Sequence, residues 1–128
     1  MTDLVKSRPI HLCVIDGISS YAGSEGPWNW PARKVNPQVL IVGRNPVCTD
    51  AVGAAVMGYD PMAMVGTEPF IGDNLMNLGA EAGIGTNDLK RIEVRGIPIA
   101  NVVCQYGAVS RVEPPWTRNR RGHPKVEE

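Results

Sequence analysis

Two short apolar runs constrain the fold of this chain more than any other feature. Residues 11–16 read HLCVID and residues 38–43 read QVLIVG, and both runs are continuous and rich in branched side chains. Runs of this length and composition are typical of strands buried on both faces, as in a parallel sheet. About twenty residues of mostly Gly, Ser, Pro and Trp separate them, a length that usually marks a functional or disordered loop. Trp28 and Trp30 favour the functional loop.

The second run is followed by the best delimited helix of the chain. In the segment RNPVCTDAVGAAVMGYDP, Asn45 suits the N-cap, Pro46 suits the first helical position and Gly58 marks the end. The side chains between them are small and apolar nearly all round, which predicts a helix packed closely against a sheet. A second helix is predicted near residues 72–82.

Two further strands and the fold class follow from the remaining patterns. Residues 91–95 alternate charged and apolar side chains, the pattern of a strand with one wet face, and residues 97–104 give another apolar run. We predict an α/β fold with a small mixed or mainly parallel sheet and at least two packed helices. Residues 1–110 are expected to form a single domain, and residues 111–128 an extended tail rich in Pro and Arg.

The composition excludes several classes of function. Thirteen Lys and Arg balance thirteen Asp and Glu, so no net charge attracts a nucleic acid. Cys13, Cys48 and Cys104 are widely separated, so neither a disulfide framework nor a zinc or iron–sulfur site is predicted. The apolar stretch at residues 10–15 is too short for a signal peptide or membrane span. The sequence therefore predicts a cytoplasmic protein without a nucleic-acid or membrane partner.

Several segments resemble a known family. VIDGI, GSEGP, LIVG, NPVCTDAVGAAVMGYDP and GIGTNDLKRIEVRG together resemble the C-terminal part of the bacterial and archaeal family called domain of unknown function 362, over residues 10–103. Members are usually much longer, some carry a ferredoxin-like cysteine-rich segment, and the family has no assigned activity. The resemblance implies a partner chain that supplies the missing N-terminal part, or an accessory role in an iron–sulfur redox system, although this chain shows no cluster ligands. Asn45 and Cys48 stand where the family commonly has aspartate and alanine.

The strand pattern points to one candidate site. If the two apolar strands are parallel, the end of the first and the helix start share the sheet edge where open α/β folds bind ligands. A small molecule, an anion or a metal ion would then bind between the loop at residues 16–30 and the helix. The candidate ligand-binding residues are Asp16, Gly17, Glu25, Gly26, Arg44, Asn45, Cys48 and Asp50. Arg44 and the helix N-terminus suit an anion, whereas Asp16, Glu25 and Asp50 are candidate ligands of a hard cation such as Mg²⁺.

Each candidate also has an ordinary structural interpretation. Asp16 can cap a turn, Arg44 can be solvated and Asp50 can favour a helix start. On its apolar helix face, however, the Asp50 carboxylate must either reach a polar partner or have a raised pKa. The helix dipole favours a thiolate at Cys48, but in a parallel arrangement His11 lies at the far end of its strand. An inert thiol is therefore favoured over a nucleophile. No catalytic residue and no cofactor are assigned.

The alternative function is a non-catalytic oligomerisation or interaction domain. Strands buried on both faces need more cover than two helices supply, and open strand edges invite pairing with another chain. We therefore predict a homo-oligomer, most simply a symmetric dimer.

Overall fold

The computed structural model describes residues 2–23 and 32–107 of the 128. In chain order the elements are α1 (Thr2–Ser7), β1 (Cys13–Gly17), β2 (Ser20–Ala22), β3 (Arg33–Val35), β4 (Val39–Gly43), α2 (Pro46–Val56) and α3 (Leu75–Glu81). Two 3₁₀ turns follow at Leu89–Arg91 and Ile99–Asn101. The mixed α/β class is as predicted. The predictions for Glu25, Gly26, Trp28, Trp30 and the tail at residues 111–128 lie outside the described residues.

The described strands form two antiparallel pairs. β1 pairs with β4 in a register that sets Cys13 opposite Gly43 and Gly17 opposite Val39, and β2 pairs with β3. The prediction of a mainly parallel sheet is wrong. A parallel pair needs a long crossover, usually a helix. Here the chain between the two apolar runs lacks helical periodicity and instead contributes the strands β2 and β3.

Helix α2 covers the inner face of the β1–β4 sheet. Glycines let the two layers approach closely, because a Cβ added to Gly53 would lie 2.9 Å from the side chain of Ile15 and one added to Gly43 would overlap Thr49. Seven of the helix residues are buried: Val47, Thr49, Ala51, Val52, Gly53, Ala54 and Val56. The prediction of a closely packed, largely buried helix is confirmed.

The main core lies between α2 and α3. Its buried members are Val47, Ala51, Ala54 and Met76, with Tyr59, Phe70, Ile84, Leu89 and Ile92 packed against them. A smaller cluster joins the β2–β3 pair to the last described residues and consists of Ala22, Val35 and Tyr106. The second predicted helix is confirmed as α3. No helix of residues 2–23 and 32–107 is long and apolar enough to cross a membrane.

A buried asparagine network fixes the position of α3. Asn74 is 1% exposed, and its Oδ1 caps the first turn of the helix. Its Nδ2 donates to the carbonyl oxygens of Pro61 at 2.9 Å and Ala63 at 3.0 Å. Asn87 donates to the same Pro61 oxygen at 3.0 Å, and Asn77 donates to the Ala63 oxygen at 3.1 Å. These three amides, one before α3, one within it and one after it, therefore tie α3 and its flanking segments to the loop that follows α2.

The two strands predicted at residues 91–95 and 97–104 are wrong. The chain there forms the two 3₁₀ turns and irregular segments that join no sheet within the described residues. Alternation of charged and apolar residues predicts which side chains face inward, but a strand also needs a neighbouring strand to complete its hydrogen bonds. Within the described residues, no strand is hydrogen-bonded to these segments.

The outer face of the β1–β4 sheet is apolar and exposed. Val14 lies opposite Val42, and Asp16 lies opposite Leu40. The exposed fractions are 59% for Val14, 60% for Leu40 and 63% for Val42, and Leu12, just before β1, is 64% exposed. The prediction that both faces of these strands are buried is therefore wrong for the described part of the chain, because α2 packs on the inner face alone.

Candidate functional site

Antiparallel pairing divides the predicted site residues into two groups. Asp16 lies at the end of β1 that pairs with the start of β4, whereas Arg44 and Asn45 follow the end of β4, where Gly43 lies opposite Cys13. Five residues of strand span about 16 Å. The prediction that the end of β1 and the start of α2 share one edge of the sheet is therefore wrong.

Asn45 is occupied by contacts within the protein. Its Oδ1 accepts a hydrogen bond from the amide of Cys48 at 3.1 Å, and its Nδ2 donates to the carbonyl of Ile84 at 2.7 Å. The first helical residue is a proline, which has no N–H, and the Thr49 amide bonds to the Asn45 carbonyl at 2.9 Å. Of the first amides of α2, only that of Val47 is left for an anion among the described residues.

A cleft of about 720 Å³ opens at the other end of the sheet, between residues 16–23 and the middle of α2. Its walls combine branched side chains from the inner sheet face, small residues of α2 and aromatic rings. They include Ile15, Ile41, Ala54, Phe70, Met76 and Tyr106. The cleft therefore lies beside the predicted loop, but faces the body of the helix and not its N-terminus.

The charged groups of this cleft are all acidic. Among the described residues, its charged lining residues are Asp50, Asp73 and Asp16, the last at an outward-facing position of β1. Asp16 accepts a hydrogen bond from the amide of Ile18 at 3.0 Å, so it caps a turn, as its structural interpretation predicted. Asp50 remains exposed to the cleft and has no hydrogen-bond partner in the described part of the chain. Partial desolvation by the surrounding protein raises the pKa of Asp50, as its apolar helix face predicted.

We expect Asp50→Asn to raise the free energy of unfolding at pH 7. The raised pKa means that the folded state disfavours the carboxylate. This penalty is absent below the ordinary aspartate pKa of about 3.9, grows as the pH rises towards the raised folded value, and is constant above it. Solvent screens an exposed carboxylate, so the gain at pH 7 should be about 0.5 kcal/mol or less.

Urea denaturation at pH 7 and pH 3 measures this gain. Glu81→Gln is the control, because it removes one negative charge from an exposed position at the end of α3, outside the cleft. A loss of stability at pH 7 on replacing Asp50 would show that its carboxylate stabilises the fold, contrary to the prediction.

The predicted Mg²⁺ site stays a prediction. Asp16 and Asp50 line the same cleft, but Glu25, the third predicted ligand, lies outside the described residues. Within the described ranges, no group of three or more His, Cys, Asp and Glu residues is placed to hold a metal ion.

Arg44, Asn45 and Cys48 line a separate groove of about 510 Å³ along β4. Because β1 and β4 are antiparallel, His11 lies at the same end of the sheet as Cys48, and its predicted placement at the far end is wrong. His11 is nevertheless outside the set of residues that line this groove. Cys48 is half-buried, and its interpretation as an inert thiol stays a prediction.

Sequence reasoning missed most of the cleft walls. Asp73 and Asn74 precede α3, and an Asx residue before an apolar run is a signal that could have identified the Asn74 cap. Phe70 and Tyr106 reach the cleft from distant parts of the chain, and no local pattern indicates where they pack.

Comparisons with protein-family models, with curated proteins and with solved structures found no match to this chain. The resemblance to the domain of unknown function 362 family therefore stays a prediction. The function must be argued from the chemistry of the cleft, the groove and the exposed sheet face.

Proposed function

We propose that this protein binds a small molecule with an apolar body and a positive charge, in the cleft between residues 16–23 and α2. The observation that carries the proposal is the lining of the cleft, which combines apolar and aromatic walls with charged groups that are all carboxylates in the described part of the chain. Small-molecule sites are typically concave and mostly apolar, with a few polar groups that orient the ligand. A raised carboxyl pKa in such a cleft is also common at functional sites.

The wall chemistry favours a cation over an anion. The rings of Tyr59, Phe70 and Tyr106 line the cleft, and an aromatic face attracts a cation within about 6 Å. Asp50 supplies a carboxylate among these apolar walls. A bound cation would lower the raised pKa of Asp50 by stabilising its charged form, so binding in mildly acidic solution would release a proton.

A matched pair of probes tests the proposal. 2-Naphthylmethylammonium and 2-naphthoate share one ring system and carry opposite charges at pH 7. We expect the cation to bind at least about tenfold more tightly, a difference of about 1.4 kcal/mol. Titration monitored by protein NMR gives both affinities and shows whether the shifted signals come from residues of the cleft.

Two variants show whether the charge preference comes from the cleft. Asp50→Asn should weaken binding of the cation several-fold and leave the anion unchanged, whereas Glu81→Gln should change neither affinity. Equal affinities for the two probes in the unmodified protein, or tighter binding of 2-naphthoate, would contradict the proposal.

A second candidate function is an interaction domain that forms a symmetric dimer through the outer face of β1 and β4. The exposure of Val14, Leu40 and Val42 favours it. The same apolar face on two copies can pack around a two-fold axis, as sheets pack about 10 Å apart in β-sandwiches. Asp16 is the charged residue among the paired outer positions and lies towards one end of the strands, so the centre of such an interface would be apolar.

A further inference from the structure

We propose that the groove beside β4 is a strand-addition site, which binds an extended segment of another polypeptide chain. The groove has a volume of about 510 Å³ and is lined by β4, by one face of α2 and by residues 92–97. It shares Val39, Ile41 and Val56 with the cleft that contains Asp50, but Asp50 does not line it and Cys48 and Val52 line it alone, so variants at these residues distinguish the two sites.

Both walls carry peptide groups that have no partner among the described residues. β4 pairs with β1 alone, and in an antiparallel strand alternate residues direct their N–H and C=O groups away from the paired neighbour. Within residues 2–23 and 32–107, no backbone hydrogen bond outside the β1 ladder involves β4, and none involves residues 93–97. One added strand could bond to β4 on one side and to residues 93–97 on the other.

The sequence of the far wall explains why a strand fits there. Residues 91–95 alternate charged and apolar side chains, yet residues 93–95 form no regular secondary structure and join no sheet in the described chain. A two-stranded sheet is marginal in water, and three or more strands with an apolar face are needed for independent stability. We infer that the strand pattern of this segment is used when an added strand lies between it and β4.

The floor of the groove selects the side chains of the added strand. Cys48, Val52 and Val56 are spaced four residues apart on α2, so they lie along one face of the helix, and all three line the groove. A strand lying over this face would direct every second side chain towards it. Small apolar side chains at alternate positions, such as valine, fit this floor.

The charges of the groove indicate one polar feature of the added strand. Glu93 pairs with Arg95 at 2.9 Å, so their charges offset each other. Arg44, which lies beyond the end of β4, has no ion pair among the described residues. An occupant with a carboxylate at the end of its extended segment would complement Arg44.

Fusion of a donor strand to the full chain tests this inference. A segment of about six residues, alternating valine and threonine with a glutamate at each end, is joined to the N-terminus by a flexible linker of about 20 residues, which spans about 25 Å on average. We expect the donor to raise Tm by about 5 °C or more, because the linker supplies a high effective concentration of a strand that binds the folded state. A donor with a central proline, which lacks one N–H, is the matched control.

Hydrogen exchange locates the added strand. The amides of β4 and of residues 93–97 should gain protection with the valine–threonine donor and not with the proline donor, and Arg44→Gln should reduce the gain in Tm. Equal Tm values for the two donors, or protection confined to the β1 edge, would overturn the proposal. The same donor is also fused to a variant that ends at residue 107. If the donor raises the Tm of this shorter variant but not that of the 128-residue chain, residues 108–128 compete for the groove, and the assignment of its occupant to another chain would be overturned.

Discussion

Replacing Asn74 with aspartate is expected to lower the free energy of unfolding at pH 7 by about 3 to 5 kcal/mol, a large part of the stability of a typical domain. Asn74 is 1% exposed, and its Nδ2 donates to the carbonyl oxygens of Pro61 and Ala63. Aspartate keeps the oxygen that caps α3. It replaces the amide nitrogen with a second carboxylate oxygen, which would face two carbonyl oxygens in a buried site.

The pH dependence of this variant separates charge repulsion from simple loss of contacts. Burial and the two carbonyls would raise the pKa of the introduced carboxyl, so the folded state would hold a proton that the unfolded state releases. The penalty should therefore be largest above the raised pKa and shrink as the pH falls towards the ordinary value of about 3.9. Asn74→Ala should lower the free energy of unfolding by about 2 to 3 kcal/mol. This loss should be the same above the raised pKa and at about pH 3.9, because alanine has no ionisable group.

Urea denaturation of the unmodified protein and both variants at pH 7 and pH 5 measures these differences. Asn101→Asp is the control, because Asn101 ends a 3₁₀ turn and is exposed, and it should change the free energy of unfolding by less than about 0.5 kcal/mol. An Asn74→Asp variant as stable as the unmodified protein at pH 7 would mean that the asparagine network does not hold the loop and α3 together.

If the protein forms the proposed dimer through the outer face of β1 and β4, the combined variant Val14→Lys, Val42→Lys is expected to be a monomer with half the mass of the unmodified protein. These residues lie opposite each other on the outer face of the β1–β4 sheet and are 59% and 63% exposed. Packing two such faces together would bring four lysines into a desolvated interface, where like charges are strongly unfavourable. Because both positions are exposed within one chain, the monomer should keep its fold.

Light scattering behind a sizing column measures the mass, which should change from about twice 13.8 kDa to 13.8 kDa. Met64→Lys, Val65→Lys is the matched control, since these residues are 70% and 58% exposed and lie outside the sheet. This control should remain a dimer. A mass of 13.8 kDa for the unmodified protein across micromolar concentrations would exclude the dimer and leave the ligand-binding proposal untouched.

The elements that depend on neighbouring residues could be predicted from the sequence. Asn45 and Pro46 define the start of α2, its small side chains predict its close packing, and α3 follows from its apolar spacing. The apolar runs around β1 and β4 were also recognised as strands. These signals are local, since capping, helical periodicity and β-propensity act within a few residues.

Strand direction could not be predicted in this way. Apolar residues at successive positions of β1 and β4 hide the alternation that would have indicated one exposed face, so both strands were interpreted as members of a parallel sheet. The tertiary structure pairs them antiparallel and packs α2 on one face. This choice then separated Asp16 from Arg44 and Asn45, which had been assigned to one site.

The sequence by itself determined the helices α2 and α3 and the strands β1 and β4, and which residues can carry charge or accept hydrogen bonds. Only the tertiary structure decided that Asp16 and Asp50 share a cleft with Phe70 and Tyr106, and that residues 92–97 line one groove with β4. Such groupings join residues tens of positions apart. Their formation depends on packing and strand register among the whole set of elements, and no local pattern records those long-range contacts.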